Sequence, residues 1–150
     1  MTHLILSNSA VGTHAGNVTK LAEEAVATKY LLGKFGTEES NVAICNGADF
    51  PVGIITDEAG APATDGAKET VNVALLGGSD TLLAVASGAI SAGSIIIPSD
   101  GGKVRALPAA TASDATYGVI GFALTSASSD GQLIEFASCI QRQHVVEGLE

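Results

Sequence analysis

The sequence predicts an all-β protein: a small β-barrel or β-sandwich built of short antiparallel strands, with an extended N-terminal arm and at most one short helix. Three observations predict it. Hydrophobic residues make up 46% of the 150-residue chain, yet aromatics are only 4% and there is no Trp. The apolar content is therefore Ala, Val, Ile and Leu, side chains that fill thin layers between small sheets. Eighteen Gly, with many Ser, Thr and Ala, indicate tight turns rather than long helices. Short β-type runs then follow one another at the spacing of a sandwich or barrel, without the amphipathic helices that a helix-alternating parallel sheet needs between its strands.

Taken in order, Met1–Val18 mixes one apolar clump, Leu4, Ile5 and Leu6, with Ser, Asn, Thr and Gly. It reads as an arm that orders against something else, and residues 19–150 then form a single β domain. Thr19–Ala27 (TKLAEEAVA) is the most helix-like segment. With TKYLLGKFG behind it, it reads as a short helix or an extended lead-in, followed by a strand ending at Gly36. The β-type runs after it are Asn41–Asn46, Pro51–Thr56, Thr70–Leu76, Thr81–Ser87, Ser94–Pro98, Lys103–Leu107, Gly118–Leu124, Leu133–Ala137 and Gln143–Val146. Between them lie NGAD, DEAGAPATDG, GGSD, SDGG, ASDATY and SASSDG, all rich in turn residues. PVGIITDEAGAPATDGAKETVNVAL and YGVIGFALTSASSDGQLIEF share an order of features: a Gly-bearing apolar strand, a small-residue loop, Asp-Gly, and an alternating strand. An old duplication and a common geometric need explain that likeness equally well.

Charge excludes one class of partner. Seven Lys and Arg against sixteen Asp and Glu give a net charge of -9, and no cation cluster is present to displace counterions from a nucleic-acid backbone. An acidic surface favours solubility and a basic or mixed partner. Cys45 and Cys139 lie far apart, without C-x-x-C or a His at zinc-finger spacing. Two thiols kept reduced in the cytosol is the preferred reading, with a disulfide left open. MTHLILSNSA lacks the basic start and long apolar stretch of a secretory signal, and no apolar run approaches the ~18 residues of a membrane span.

Candidate chemistry is thin. AISAG around Ser91 misses the G-x-S-x-G nucleophile elbow, because position 89 is Ala and a strand-like SIIIP, not a helix, follows. SDGGK lacks the phosphate-loop spacing and precedes Val104; Asp-Gly between two β-type runs is instead a hairpin signal. Asp65, Asp100 and Asp130, with Asp57, Glu58 and Asp80, do not form a D-x-[DN]-x-[DN]-G calcium loop, and Asp in turns usually bonds its own backbone. His3, His14 and His144 lack an H-E-x-x-H or i, i+4 partner, and read as surface or interface residues. Glu23–Glu24 and Glu38–Glu39 read as solvated faces, not an acid/base dyad. No catalytic residue, metal site or cofactor is expected.

AVATKYLLGKFG, FPVGIITDEA, VNVALLG, SGAISAGSIIIPSDGGKVRALP and YGVIGFALTSASSDGQLIEF follow one another in an order that resembles the bacteriophage capsid cement (decoration) proteins of the DUF2190 type. The resemblance covers about Ala25–Ala137. Each motif is a weakly specific turn-and-strand pattern; their order and spacing carry the likeness. The loop Asp57–Lys68 is long for that pattern, and Ser94 stands where an Asp is common. The resemblance implies a small β-barrel or β-sandwich of β-tulip-like form on the outer capsid surface of a virion, made in the host cytoplasm. Its partners would be the major capsid protein and itself as a homotrimer, with no nucleic acid, no membrane and no catalysis. Leu4, Ile5 and Leu6 would be the apolar anchors of the capsid-contact arm. The competing reading is a host- or carbohydrate-binding β-module displayed on a particle surface, against which the shortage of aromatics argues.

Overall fold

The computed structural model describes residues 16–149. Among them, β1 (Asn17–Ala22), β2 (Leu31–Phe35), β3 (Asn41–Ile44), β4 (Gly53–Ile55) and β5 (Thr70–Leu75) close into a barrel in the order β1-β3-β2-β4-β5. A second, open sheet follows, built from β6 (Thr81–Val85), β7 (Ile95–Pro98), β8 (Val104–Ala106), β9 (Ala115–Ala123) and β10 (Leu133–Val146) in the order β6-β10-β9-β7-β8. The sequence expectation of an all-β fold with a small barrel is met.

Period-two alternation divides the barrel strands between two cores. Leu31, Val42, Ile55, Val71 and Val73 fill one apolar cluster. Their immediate neighbours Leu32, Ile54 and Ala74 turn to the other, where they meet Ala84, Ile96, Val104, Ile120, Ile134 and Phe136 of the open sheet. A barrel strand buried on both sides must be apolar at consecutive positions, which is why LL at Leu31–Leu32 and II at Ile54–Ile55 read as continuous runs. Phe136, wholly buried, is among the largest side chains of the shared core.

The structure refines the sequence expectations at several points. Of the two readings of TKLAEEAVA, short helix or extended lead-in, the structure takes the extended one: β1 spans its first residues and pairs with β5 from Asn17↔Ala74 to Leu21↔Thr70. Glu23 is half-buried and Glu24 exposed, and both also bind the chain: Glu23 accepts from the Thr37 amide and hydroxyl, and Glu24 accepts from the Ile44 amide at 2.8 Å. Tertiary ladder bonds thus override a weak local helix preference. Asn17 and Val18 are the first residues of β1; Met1–Ala15, with Leu4, Ile5 and Leu6, lies outside the described residues. Not every pair is antiparallel, because β1 meets β3 in parallel at Leu21↔Asn41 and Ala22↔Val42 to close the barrel. Finally, Leu133–Ala137 and Gln143–Val146 are one 14-residue strand, with a bulge between Ser138 and Arg142.

The SGAISAGSIIIPSDGGKV stretch turns the chain as expected. Ile90 exchanges two backbone hydrogen bonds with Ala127, and Gly93 turns with φ 88° into β7. A 3-10 turn at Asp100–Gly102 then joins β7 to β8. The two similar hairpins fall one in each sheet, β4–β5 and β9–β10. Both place a glycine against the partner strand's backbone: a Cβ on Gly53 would lie 2.3 Å from Ala74 O, and one on Gly121 2.0 Å from Ala137 O.

Candidate interaction surface

The open sheet has a second apolar face. Along β10, Ile134 and Phe136 point to the core while Leu133, Glu135 and Ala137 point away; along β6, Ala84 points inward and Leu83 outward. Register joins these outward positions across four strands. Leu83 lies opposite Glu135, Ala137 opposite Phe122, and Phe122 opposite Ile95. Leu124, just past β9, donates its amide to Glu135 O at 2.8 Å. The resulting stripe exposes Leu83 37%, Ile95 41%, Leu124 42%, Leu133 45% and Phe122 49%. Glu135 lies within it, its carboxylate accepting from the Thr81 hydroxyl at 2.5 Å. A contiguous apolar patch on an otherwise acidic chain marks a place for contact with another surface.

The stripe runs into a groove. Leu133 also lines a cavity of about 540 Å³ between barrel and sheet, with Tyr30, Leu31, Val85, Lys29 and Lys103 around it. Tyr30 joins the two halves of the molecule: its amide donates to Ile55 O at 2.8 Å and its carbonyl accepts from Val85 N at 3.3 Å. To do so it adopts φ 69°, the one positive-φ residue other than glycine among the described residues. For an aromatic residue that is a strained conformation, held by packing against both cores. Lys103 pairs with Asp130 at 2.7 Å on the rim.

Charged groups elsewhere hold turns. Asp49 accepts from Lys34 at 2.8 Å and from the Asn46 amide at 2.8 Å. The Lys34 bond holds the Asp49 carboxyl below the usual carboxylate range and raises the pKa of Lys34 itself. Hydrogen bonds from the Thr37 hydroxyl and amide hold Glu23 low. Burial pushes the Cys45 thiol up to about 12; Cys45 and Cys139 are both free thiols. Among the described residues, no three His, Cys, Asp or Glu are grouped to hold a metal ion, and no helix is long and apolar enough to cross a membrane.

Of the residues weighed for chemistry, Ser91 sits exposed in a turn, where its carbonyl accepts from Ser94 N. His144 is exposed on β10 opposite Tyr117, and His3 and His14 lie outside the described residues. Asp65 bonds its own turn through Ala67 N, as expected. Asp100 and Asp130 instead reach across the fold, to Gly47 N and to Lys103. The outward stripe was not singled out from the sequence. The available signal was TLLAVAS and GVIGFAL, which carry apolar residues on both strand faces, whereas a half-solvated antiparallel sheet alternates apolar with polar.

Fold and surface together define a small all-β scaffold with an apolar contact face on its open sheet. No family model and no curated protein matches the sequence. Among solved structures, the fold is similar to the crystal structure of the head fiber gp8.5 N base of bacteriophage phi29, with a TM-score of 0.58. The match covers 85% of this chain and 98% of that chain at 18% identity. At that identity the likeness is one of fold.

Proposed function

We propose that this chain is a structural virion protein of a bacteriophage. It sits on the outer capsid surface, cements contacts between major capsid proteins as a homotrimer, and catalyses nothing. The observation that carries this reading is the fold likeness, which extends over 98% of a phage head fiber base. The apolar face supports it energetically. Burying the exposed remainder of five large side chains contributes about 3–6 kcal/mol at ~1.5–3 kcal/mol per complete side chain. Lost translational and rotational freedom costs at least ~4 kcal/mol, so one copy binds a shell weakly. Three copies joined as a trimer release far more slowly, because detachment requires all contacts to open together. Leu4, Ile5 and Leu6 act in this reading as further anchors, reaching a neighbouring subunit.

The test is cosedimentation of the purified protein with phage heads that lack it. Saturable binding that raises the heads' resistance to heat supports cementing. Absence of cosedimentation refutes capsid binding, and binding without added resistance refutes the cement role. Analytical ultracentrifugation decides the trimer.

A further inference from the structure

We propose that Asn46–Gly47 is a self-modifying site, at which the fold promotes conversion of the asparagine through a cyclic imide into aspartate or isoaspartate. Asparagine is attacked at its side-chain carbonyl carbon by the backbone nitrogen of the next residue, and a following glycine leaves the approach open because it has no Cβ. Of the five asparagines, at 8, 17, 41, 46 and 72, only Asn46 precedes glycine; Ser9 or a valine follows the others.

Two cross-fold hydrogen bonds meet at this dipeptide. The Gly101 amide donates to Asn46 Oδ1 at 3.2 Å, so a fixed donor faces the oxygen on which negative charge grows when the carbonyl is attacked. The Gly47 amide donates to Asp100 Oδ1 at 3.0 Å, so the attacking nitrogen already shares its proton with a carboxylate. The surrounding turn is closed by Asp49 N donating to Asn46 O at 3.0 Å and Asn46 N donating to Asp49 Oδ2 at 2.8 Å. Asn46, Gly47, Asp100 and Gly101 are all exposed, so water reaches them.

In the step, the Gly47 N–Asn46 Cγ bond forms and the Cγ–Nδ2 bond breaks. The Gly47 amide proton passes by way of Asp100 to the departing nitrogen, which leaves as ammonia. Water then adds to either carbonyl of the five-membered imide and reopens it, so one water enters, one ammonia leaves and nothing is oxidised. The product places a new carboxylate beside Asp49 and Asp100. In its isoaspartyl form it also lengthens the backbone where Gly47 is tied to Asp100, loosening the bond between the β3–β4 turn and the β7–β8 turn.

The experiment incubates the full chain at mildly alkaline pH and maps peptides by mass. A one-dalton gain and isoaspartate are expected at position 46 ahead of all four other asparagines. D100N keeps an acceptor but is a far weaker base, so it slows the gain about tenfold. G47A, whose Cβ would sit at ordinary contact 3.5 Å from Asp100 Oδ1, keeps the fold and lets position 46 fall back among the others. A position 46 no faster than Asn8 overturns the proposal. So does a faster gain in D100N, which would mean that the two hydrogen bonds protect the dipeptide.

Discussion

Replacing Gly121 by alanine tests the closest approach to backbone at any glycine among the described residues. Gly121 lies where β10, β9 and β7 meet, opposite Ser138 on one side and Ile96 on the other. Its φ is 150°, and an added Cβ would stand 2.0 Å from Ala137 O, 3.0 Å from Ala137 C and 3.1 Å from Ser138 Cα. All three are backbone atoms, so no side chain can rotate away; the strands themselves must part by more than an ångström. Overpacking a filled site costs about 1–3 kcal/mol, and a side chain at a glycine-only φ about 1–3 more, together about 2–6 kcal/mol. For a domain of this length each kcal/mol shifts Tm by roughly 2–4 °C, so thermal unfolding by circular dichroism should fall by roughly 5–20 °C. Gly88 is the control: no atom lies within 4 Å of its Cβ position and its φ is not positive. Gly88→Ala should leave Tm unchanged or raise it, by about 0.4–1 kcal/mol of unfolded-state entropy. If the two variants melt together, the β9–β10 approach described above is wrong.

Four further outcomes follow from the same structure. Glu23 and Asp49 both have depressed pKa values, so their stabilisation is present above the ordinary carboxylate pKa and disappears as pH falls through the folded-state values; Tm measured across the acid range should drop, and Asp49→Asn should flatten part of that drop. Cys45, with its thiol pushed up to about 12 by burial, should resist alkylation at neutral pH until the chain unfolds, while half-buried Cys139 is modified first; labelling followed by peptide mass mapping decides the order. The pair Phe122→Ser with Leu124→Ser changes exposed positions, so Tm should move by no more than about 0.5 kcal/mol per site while cosedimentation with phage heads is lost; retained binding would remove the sheet face from the contact. Removal of residues 2–18 takes Asn17 and Val18 from the β1–β5 ladder and should lower Tm.

Strand identity was legible wherever turn chemistry bounded an apolar run. GGSD before β6, SDGG between β7 and β8, and Asp65–Gly66 and Asp130–Gly131 before β5 and β10 all mark real reversals, because positive φ at Gly66, Gly77, Gly101 and Gly131 is a local requirement. TKLAEEAVA stayed open between helix and extended lead-in, since nothing inside it shows that β5 supplies a ladder for Asn17–Leu21 or that Thr37 and Ile44 present amides to Glu23 and Glu24. The contact face was half legible: two-sided apolar strands were visible, but not which side the barrel covers.

By itself, the sequence determined the all-β class, the turn positions, the scarcity of cations and the absence of a recognisable catalytic motif, because each depends on residue type or on neighbours a few positions apart. Only the tertiary structure decided that the strands divide into a closed barrel and an open sheet, and that β1 closes the barrel in parallel with β3. It alone turned Leu32 and Ile54 towards Phe136 and left Leu83, Phe122 and Leu124 exposed. Those outcomes rest on pairings between distant strands, where register and the choice of covered face follow from long-range contacts that no local pattern records.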